Sequence, residues 1–183
     1  MSRIPTPDTI AGTPQSAHPL LEAVEKSLGS VPNLFRLVAN SPATLEGMLS
    51  MNGALSKGSL NAATRERIAL AIANYNGCSY CNSAHTYLAK NVAKLDEAEI
   101  KANRNGRSTD AKADAAVQFA LKIAKERGRI NNGDLAAVRL VGFSDAELVE
   151  IVGHVAYNIL TNYLNEVFET QIDFPVVEAA RAA

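Results

Sequence analysis

Ser144-Asp145-Ala146-Glu147 reads as a capping box, with Ser at N-cap and Glu at N3. After it, apolar residues recur at 148, 151, 152, 155, 156, 159, 160, 163, 164, 167 and 168. That spacing predicts one helix of about six turns, long enough to be the central helix of a bundle. No segment alternates apolar and polar residues in the two-residue rhythm of a strand. The remainder is helix-periodic as well. Residues 20–28 form a short helix stopped by Gly29, and Ser41-Pro42 opens another that runs to about Ser56 and ends at Gly58. Asn61 caps a helix over 62–75 that closes at Asn76-Gly77, and a further helix runs from Cys78-Ser79 to about Val92. Shorter helices fall at 96–103, 110–126 and 134–141, with Gly106, Gly128 and Gly142 as breakers. The expectation is an all-α bundle of seven or eight helices. Its main domain spans 30–177, behind an N-terminal arm and peripheral helix at 1–29 and before a tail at 178–183.

Charge and composition narrow the function classes. Eighteen basic against nineteen acidic residues leave a net charge of -1, without the basic excess of a nucleic-acid binder. No apolar run approaches the roughly 18–20 residues needed to span a bilayer. The first twelve residues, polar and broken by proline, lack the apolar core of a secretion signal. These features predict a cytoplasmic protein with neither nucleic acid nor membrane as partner.

The 183 residues hold two cysteines and three histidines, and Cys78, Cys81 and His85 fall within eight positions. On a helix they stand at i, i+3 and i+7, along one stripe. The break at Gly77 puts both cysteines at a helix start, where free N–H groups and the helix dipole favour a thiolate. His85, one turn after Cys81, is placed to take the thiol proton or to stabilise the thiolate. An activated thiol, a second thiol and a base are the parts of a thiol peroxidase or a disulfide reductase. A thioredoxin-type site would follow a β-strand, and none precedes Cys78. Zinc is a further reading: it wants four ligands, the cluster supplies three, and Glu66 or His154 could complete the set in a non-catalytic binding protein. Two inert buried cysteines are the plainest alternative. Glu66 leads into the helix before the motif, where it either compensates the helix dipole or orients His85.

His154, Asn158, Asn162 and Asn165 follow at i, i+4, i+8 and i+11, off the apolar stripe of the last helix. Amphipathicity favours a solvated face; the other reading is a polar strip at an oligomer interface or along the approach to the thiols. His154 is the residue that could supplement a proton relay there. Tyr75 and Tyr87, which flank the motif, read as packing residues.

Glu66 in Arg65-Glu66-Arg67, followed by Asn76-Gly77-Cys78-Ser79-Tyr80-Cys81-Asn82-Ser83-Ala84-His85, resembles the alkylhydroperoxidase D-like core of the carboxymuconolactone decarboxylase superfamily. The match is specific over about residues 60–91. Asn162-Tyr163-Leu164-Asn165 also looks like the peroxidase-related subgroup. The resemblance implies that Cys81 attacks the peroxide and becomes a sulfenic acid, which Cys78 resolves to a disulfide, with Glu66 and His85 as proton relay. It implies trimers or hexamers, no bound cofactor or metal, and reduction by a dithiol partner, lipoyl-bearing or thioredoxin-like. Where well-studied members carry a second histidine between the cysteines, this chain has Tyr80. A phenol with a pKa near ~10 is no base at neutral pH, though it still hydrogen-bonds. The cysteine pair points to redox chemistry rather than to the decarboxylase branch.

Overall fold

The computed structural model describes residues 2–180, and among these there are nine α-helices, two short 3₁₀ turns and no strand. The helices are α1 (His18–Leu28), α2 (Asn33–Val38), α3 (Pro42–Leu55), α4 (Ala62–Tyr75), α5 (Ser79–Asn91), α6 (Glu97–Arg104), α7 (Ala111–Lys125), α8 (Asn132–Leu140) and α9 (Asp145–Phe168). They form one all-α domain. Ser41, Asn61 and Ser144 cap as expected, and Asp96 and Asp110, the first residues of two expected helices, are caps as well: each side chain accepts an N–H from the first turn. Three elements depart from expectation, the first being α1, which starts two residues early at His18. α2 is an additional helix, only six residues long, whose N-cap Pro32 offers no side-chain acceptor. α8 starts two residues early, because Asn131 is the cap and Asp134 is the N3 partner of its capping box.

The central helix is α4, not α9. Ile68 to Ala73 are all at most 2% exposed, and the helix packs on α5, α6, α7 and α9. Alanines between its isoleucines and leucine let four neighbours approach closely, while each buried Ile or Leu contributes about 1.5–3 kcal/mol. On one side lies a core with Ile68, Ile72, Val117, Phe119, Phe143, Ile151 and Val155. A second core holds Leu21, Leu37, Leu45 and Met48 together with Cys78, Tyr80 and Cys81.

Both chain ends pack over that second core. Ala17 and Leu21 are fully buried, and Arg3 donates its backbone N–H to the Phe168 carbonyl at 2.8 Å. At the other end Val177 N–H donates to Ser83 Oγ (2.9 Å) and Ala179 N–H to Ser79 Oγ (3.1 Å). Ala180 N–H donates to Asn74 Oδ1 (2.9 Å). Of the tail expected at 178–183, the first three residues are therefore tied across the start of α5; residues 181–183 lie outside the described residues.

α9 corrects the expected polarity. Its polar row His154, Asn158, Asn162 and Asn165 is buried rather than solvated, whereas Val152, Leu160, Tyr163 and Val167 of the apolar stripe are exposed. The stripe is wider than one contact face, so Leu148, Ile151 and Val155 fill the core and the rest faces outward. Among the described residues no helix is long and apolar enough to cross a membrane.

Candidate active site

The site is built at the turn between α4 and α5. Gly77 takes φ +74, the left-handed conformation that glycine adopts without steric cost. Around it the Cys78 N–H donates to Ala73 O (3.0 Å) and the Gly77 N–H to Asn74 O (3.2 Å), the Schellman pattern that closes a helix. Cys78 is then also the N-cap of α5, its Sγ accepting the Cys81 N–H at 3.3 Å. One residue thus ends α4 and starts α5, which fixes its sulfur at the positive end of the second helix.

Cys81 lies in the first turn of α5, 3% exposed, and its Sγ receives Nδ2–H of Asn165 at 3.2 Å. Both cysteines are free thiols. His85 follows one turn later, and its Nδ1 sits 2.8 Å from Glu66 Oε2, a residue of α4. Glu66 occupies Nδ1, so Nε2 is the nitrogen left for proton exchange.

Electrostatics separate the two thiols. Burial pushes the Cys81 thiol up, but hydrogen bonding from Cys78, the His85 charge, and the Asn165 and Asn162 amides bring it below its ordinary value. Cys78 moves the other way, raised by its hydrogen bond to Cys81, by burial, and by the Cys81 and Glu166 charges. Cys81 therefore ionises first while Cys78 keeps its proton. Burial pushes His85 down, yet the charge and hydrogen bond of Glu66, followed by the Cys81 charge, raise it overall. The pattern favours an imidazolium beside a thiolate.

The structure brings both cysteines to one helix start, as the spacing predicts, and of the two readings of Glu66 it shows the carboxylate at His85. Tyr80 is turned elsewhere: its hydroxyl accepts the Leu34 N–H at 3.1 Å and its ring meets Phe174 edge-on. Burial drives its pKa well above the ordinary tyrosine range. His154 is 6% exposed and hydrogen-bonds neither thiol nor His85; its Nε2 has no partner. Burial and the Arg65 charge lower its pKa, partly offset by Glu150 and Glu66, so it is neutral. In the polar row of the last helix Asn165 reaches Cys81, and Asn162 accepts on its Oδ1 the Nδ2–H of Asn76 at 2.8 Å; Asn76 is the residue that spacing did not single out. The polar row of the last helix was the signal for Asn162 and Asn165; Asn76 had none beyond the turn it shares with Gly77. Among the described residues no group of three or more His, Cys, Asp or Glu side chains is arranged to hold a metal ion. A groove of about 670 Å³ borders the helix start, lined by Asn76, Gly77, Ser79 and Glu166 and by Glu178 to Ala180.

Fold and site together define a helical, AhpD-like protein with a paired-thiol centre. Residues 42–126 match the carboxymuconolactone decarboxylase family. Over those residues and in its fold the chain is similar to AhpD-like proteins. Among solved structures it is similar to an alkylhydroperoxidase AhpD core, a peroxidase-related protein from Ralstonia eutropha JMP134. Identity there is 26% and the TM-score 0.85, covering 94% of this chain and 92% of that one. A peroxidase-related protein from Silicibacter sp. TM1040 is 22% identical with a TM-score of 0.80, over 93% and 91% of the two chains. A variant of the debrominase Bmp8, in complex with 2,3,4-tribromopyrrole, has the same fold at 18% identity and a TM-score of 0.78, covering 94% of each chain. No curated protein matches by sequence.

Proposed function

We propose that this protein is a thiol-dependent peroxidase that reduces hydroperoxides through a Cys78–Cys81 disulfide cycle. The observation that carries the reading is the Glu66–His85 pair, 2.8 Å apart, one turn beyond a buried thiol whose pKa is lowered while its neighbour's is raised. In the first step the Cys81 thiolate attacks the terminal oxygen of R–O–O–H, the O–O bond breaks, and sulfur gains the hydroxyl as Cys81–SOH. The departing alkoxide takes a proton from His85, which Glu66 holds in place. Cys78 then attacks Cys81–SOH, giving the disulfide and water. A dithiol protein, lipoyl-bearing or thioredoxin-like, returns the two electrons and two protons. Exposed apolar residues on α9 support a homo-oligomer, a trimer or hexamer as in the family the motif resembles.

Mass spectrometry after one equivalent of hydroperoxide tests the cycle. The expected product is a Cys78–Cys81 disulfide, two mass units lighter than the dithiol by loss of two hydrogens. Cys81→Ser should abolish it, and Cys78→Ser should stop at the sulfenic acid. Free thiols after exposure of the unaltered protein would sink the reading. Because a debrominase shares the fold, a brominated pyrrole belongs in the same assay; turnover there with none on peroxide would redirect the assignment.

A further inference from the structure

We infer that Asn162 and Asn165 form an amide clamp, which holds the Cys81 thiolate and receives the –O–O–H group of the hydroperoxide beside it. The inference deepens the peroxidase reading and rests on it for the identity of the oxidant. Asn165 donates through Nδ2 to Cys81 Sγ at 3.2 Å, while its Oδ1 is buried without a partner. Asn162 is the mirror case: its Oδ1 accepts from Asn76 at 2.8 Å, and its buried Nδ2 makes no hydrogen bond of full geometry, bearing on the Cys81 sulfur only closely enough to help lower that thiol. The two side chains are 2% and 0% exposed. Their Cα atoms are three residues apart on one face of α9, the face packed against α5.

Each buried amide group left unpaired costs about 1–3 kcal/mol, and native interiors hold few of them. Here the amides that both act on the reactive sulfur leave one acceptor, Asn165 Oδ1, and one donor, Asn162 Nδ2, without a hydrogen-bond partner. A neutral hydroperoxide has the matching pair, one O–H donor and oxygen acceptors. Its O–H can donate to Asn165 Oδ1 while an oxygen accepts from Asn162 Nδ2, which leaves the terminal oxygen facing the thiolate. A disulfide has no donor for Asn165, so the clamp selects for peroxide over that electrophile. During the attack the amides transfer no proton; they orient the O–O axis and hold charge on sulfur, while His85 protonates the leaving alkoxide. Asn76 acts as a positioning residue, since its amide sets which end of Asn162 points inward.

Two readouts on Asn165→Ser and Asn76→Ala test this, with circular dichroism melts to verify folding. Asn76 is only half-buried, so its variant decides the matter if Asn165→Ser fails to fold. First, iodoacetamide labelling against pH, located on Cys81 by fragment masses, should show a midpoint raised by about one unit in Asn165→Ser and by less in Asn76→Ala. Second, above all the midpoints, where the thiol is ionised in each protein, tert-butyl hydroperoxide should oxidise Asn165→Ser about tenfold more slowly than the unaltered chain. Unchanged midpoints in the folded variants overturn the thiolate clamp, and equal oxidation rates there overturn the peroxide anchor. Loss of the peroxidase reading is told apart because the labelling midpoint needs no peroxide.

Discussion

Cys78 ends one helix, caps the next and supplies the second thiol, so its replacement touches structure as well as chemistry. Glu66 and His85 are cleaner targets for separating the two. Glu66 raises the His85 pKa, and the His85 charge in turn lowers that of Cys81. Glu66→Gln removes the charge and keeps the shape. The imidazole then loses its proton at lower pH, and the thiolate loses its counter-charge. Labelling of Cys81 at pH 7 should slow by about tenfold, the change expected for a shift of one pKa unit, and the labelling curve should move to higher pH. Stopped-flow labelling across pH 5–9 checks the direction; a curve that stays in place removes Glu66 from the relay. Cys78, Cys81 and His85 were legible because cysteine and histidine are scarce in the chain and helical spacing fixes i, i+3 and i+7, whereas Glu66 came from the resemblance, its place before the motif fitting dipole compensation equally well. Asn162 and Asn165 were not. They meet Cys81 from 81 and 84 residues away, and a polar row on a helix reads the same whether it faces water or a thiolate.

At the scale of elements, caps carried much of the legible information, since Ser41, Asn61 and Ser144 each announce a start through a short-range hydrogen bond. α2 carries no such signal, and tertiary packing of Leu34, Leu37 and Val38 holds it instead. The junction of α6 with the loop before α7 shows what a long-range tie adds. Glu99, 3% exposed, accepts Thr109 N–H at 2.7 Å and Arg67 Nε at 2.6 Å, along with the side chains of Ser108, Thr109 and Asn103. Burial pushes its carboxyl up, but the hydrogen bonds from Ser108, Thr109 and Asn103 outweigh that and hold it at about 2, against an ordinary 4.5. Because the folded pKa is the lower one, the stabilisation is complete above the unfolded value and fades as pH falls towards about 2. The gap corresponds to about 3 kcal/mol. Glu99→Gln should therefore lose about that much in urea unfolding at pH 7. The difference from the unaltered protein should narrow steadily between pH 4.5 and pH 2. A constant difference across that range would show that charge is not the source.

For the whole molecule, exposed apolar side chains and enclosed thiols are the two facts with consequences. Val149, Val152, Leu160, Tyr163 and Val167 are between 38% and 73% exposed along α9, a row that association between copies would cover. Sedimentation should give an assembly larger than the single chain, and Val152→Lys with Tyr163→Lys should dissociate it by setting like charges in the covered face. A lone chain at working concentration would overturn this. The apolar count foretold one buried stripe and a central α9; packing instead made α4 central, because residues apolar all round outrank a stripe in the competition for the interior. The segment from Phe174 to Ala180 has a different effect. Phe174 covers Tyr80 and Tyr87, and the strap is pinned by Ser79, Ser83 and Asn74 over the start of α5. A small hydroperoxide and a dithiol protein therefore face unequal tasks, since only the larger must wait for the strap to lift. Oxidation should rise in proportion to peroxide concentration, whereas reduction by a protein should level off at the rate of strap opening. In the steady state that ceiling, rather than the reactivity of Cys81, would set how fast the cycle turns.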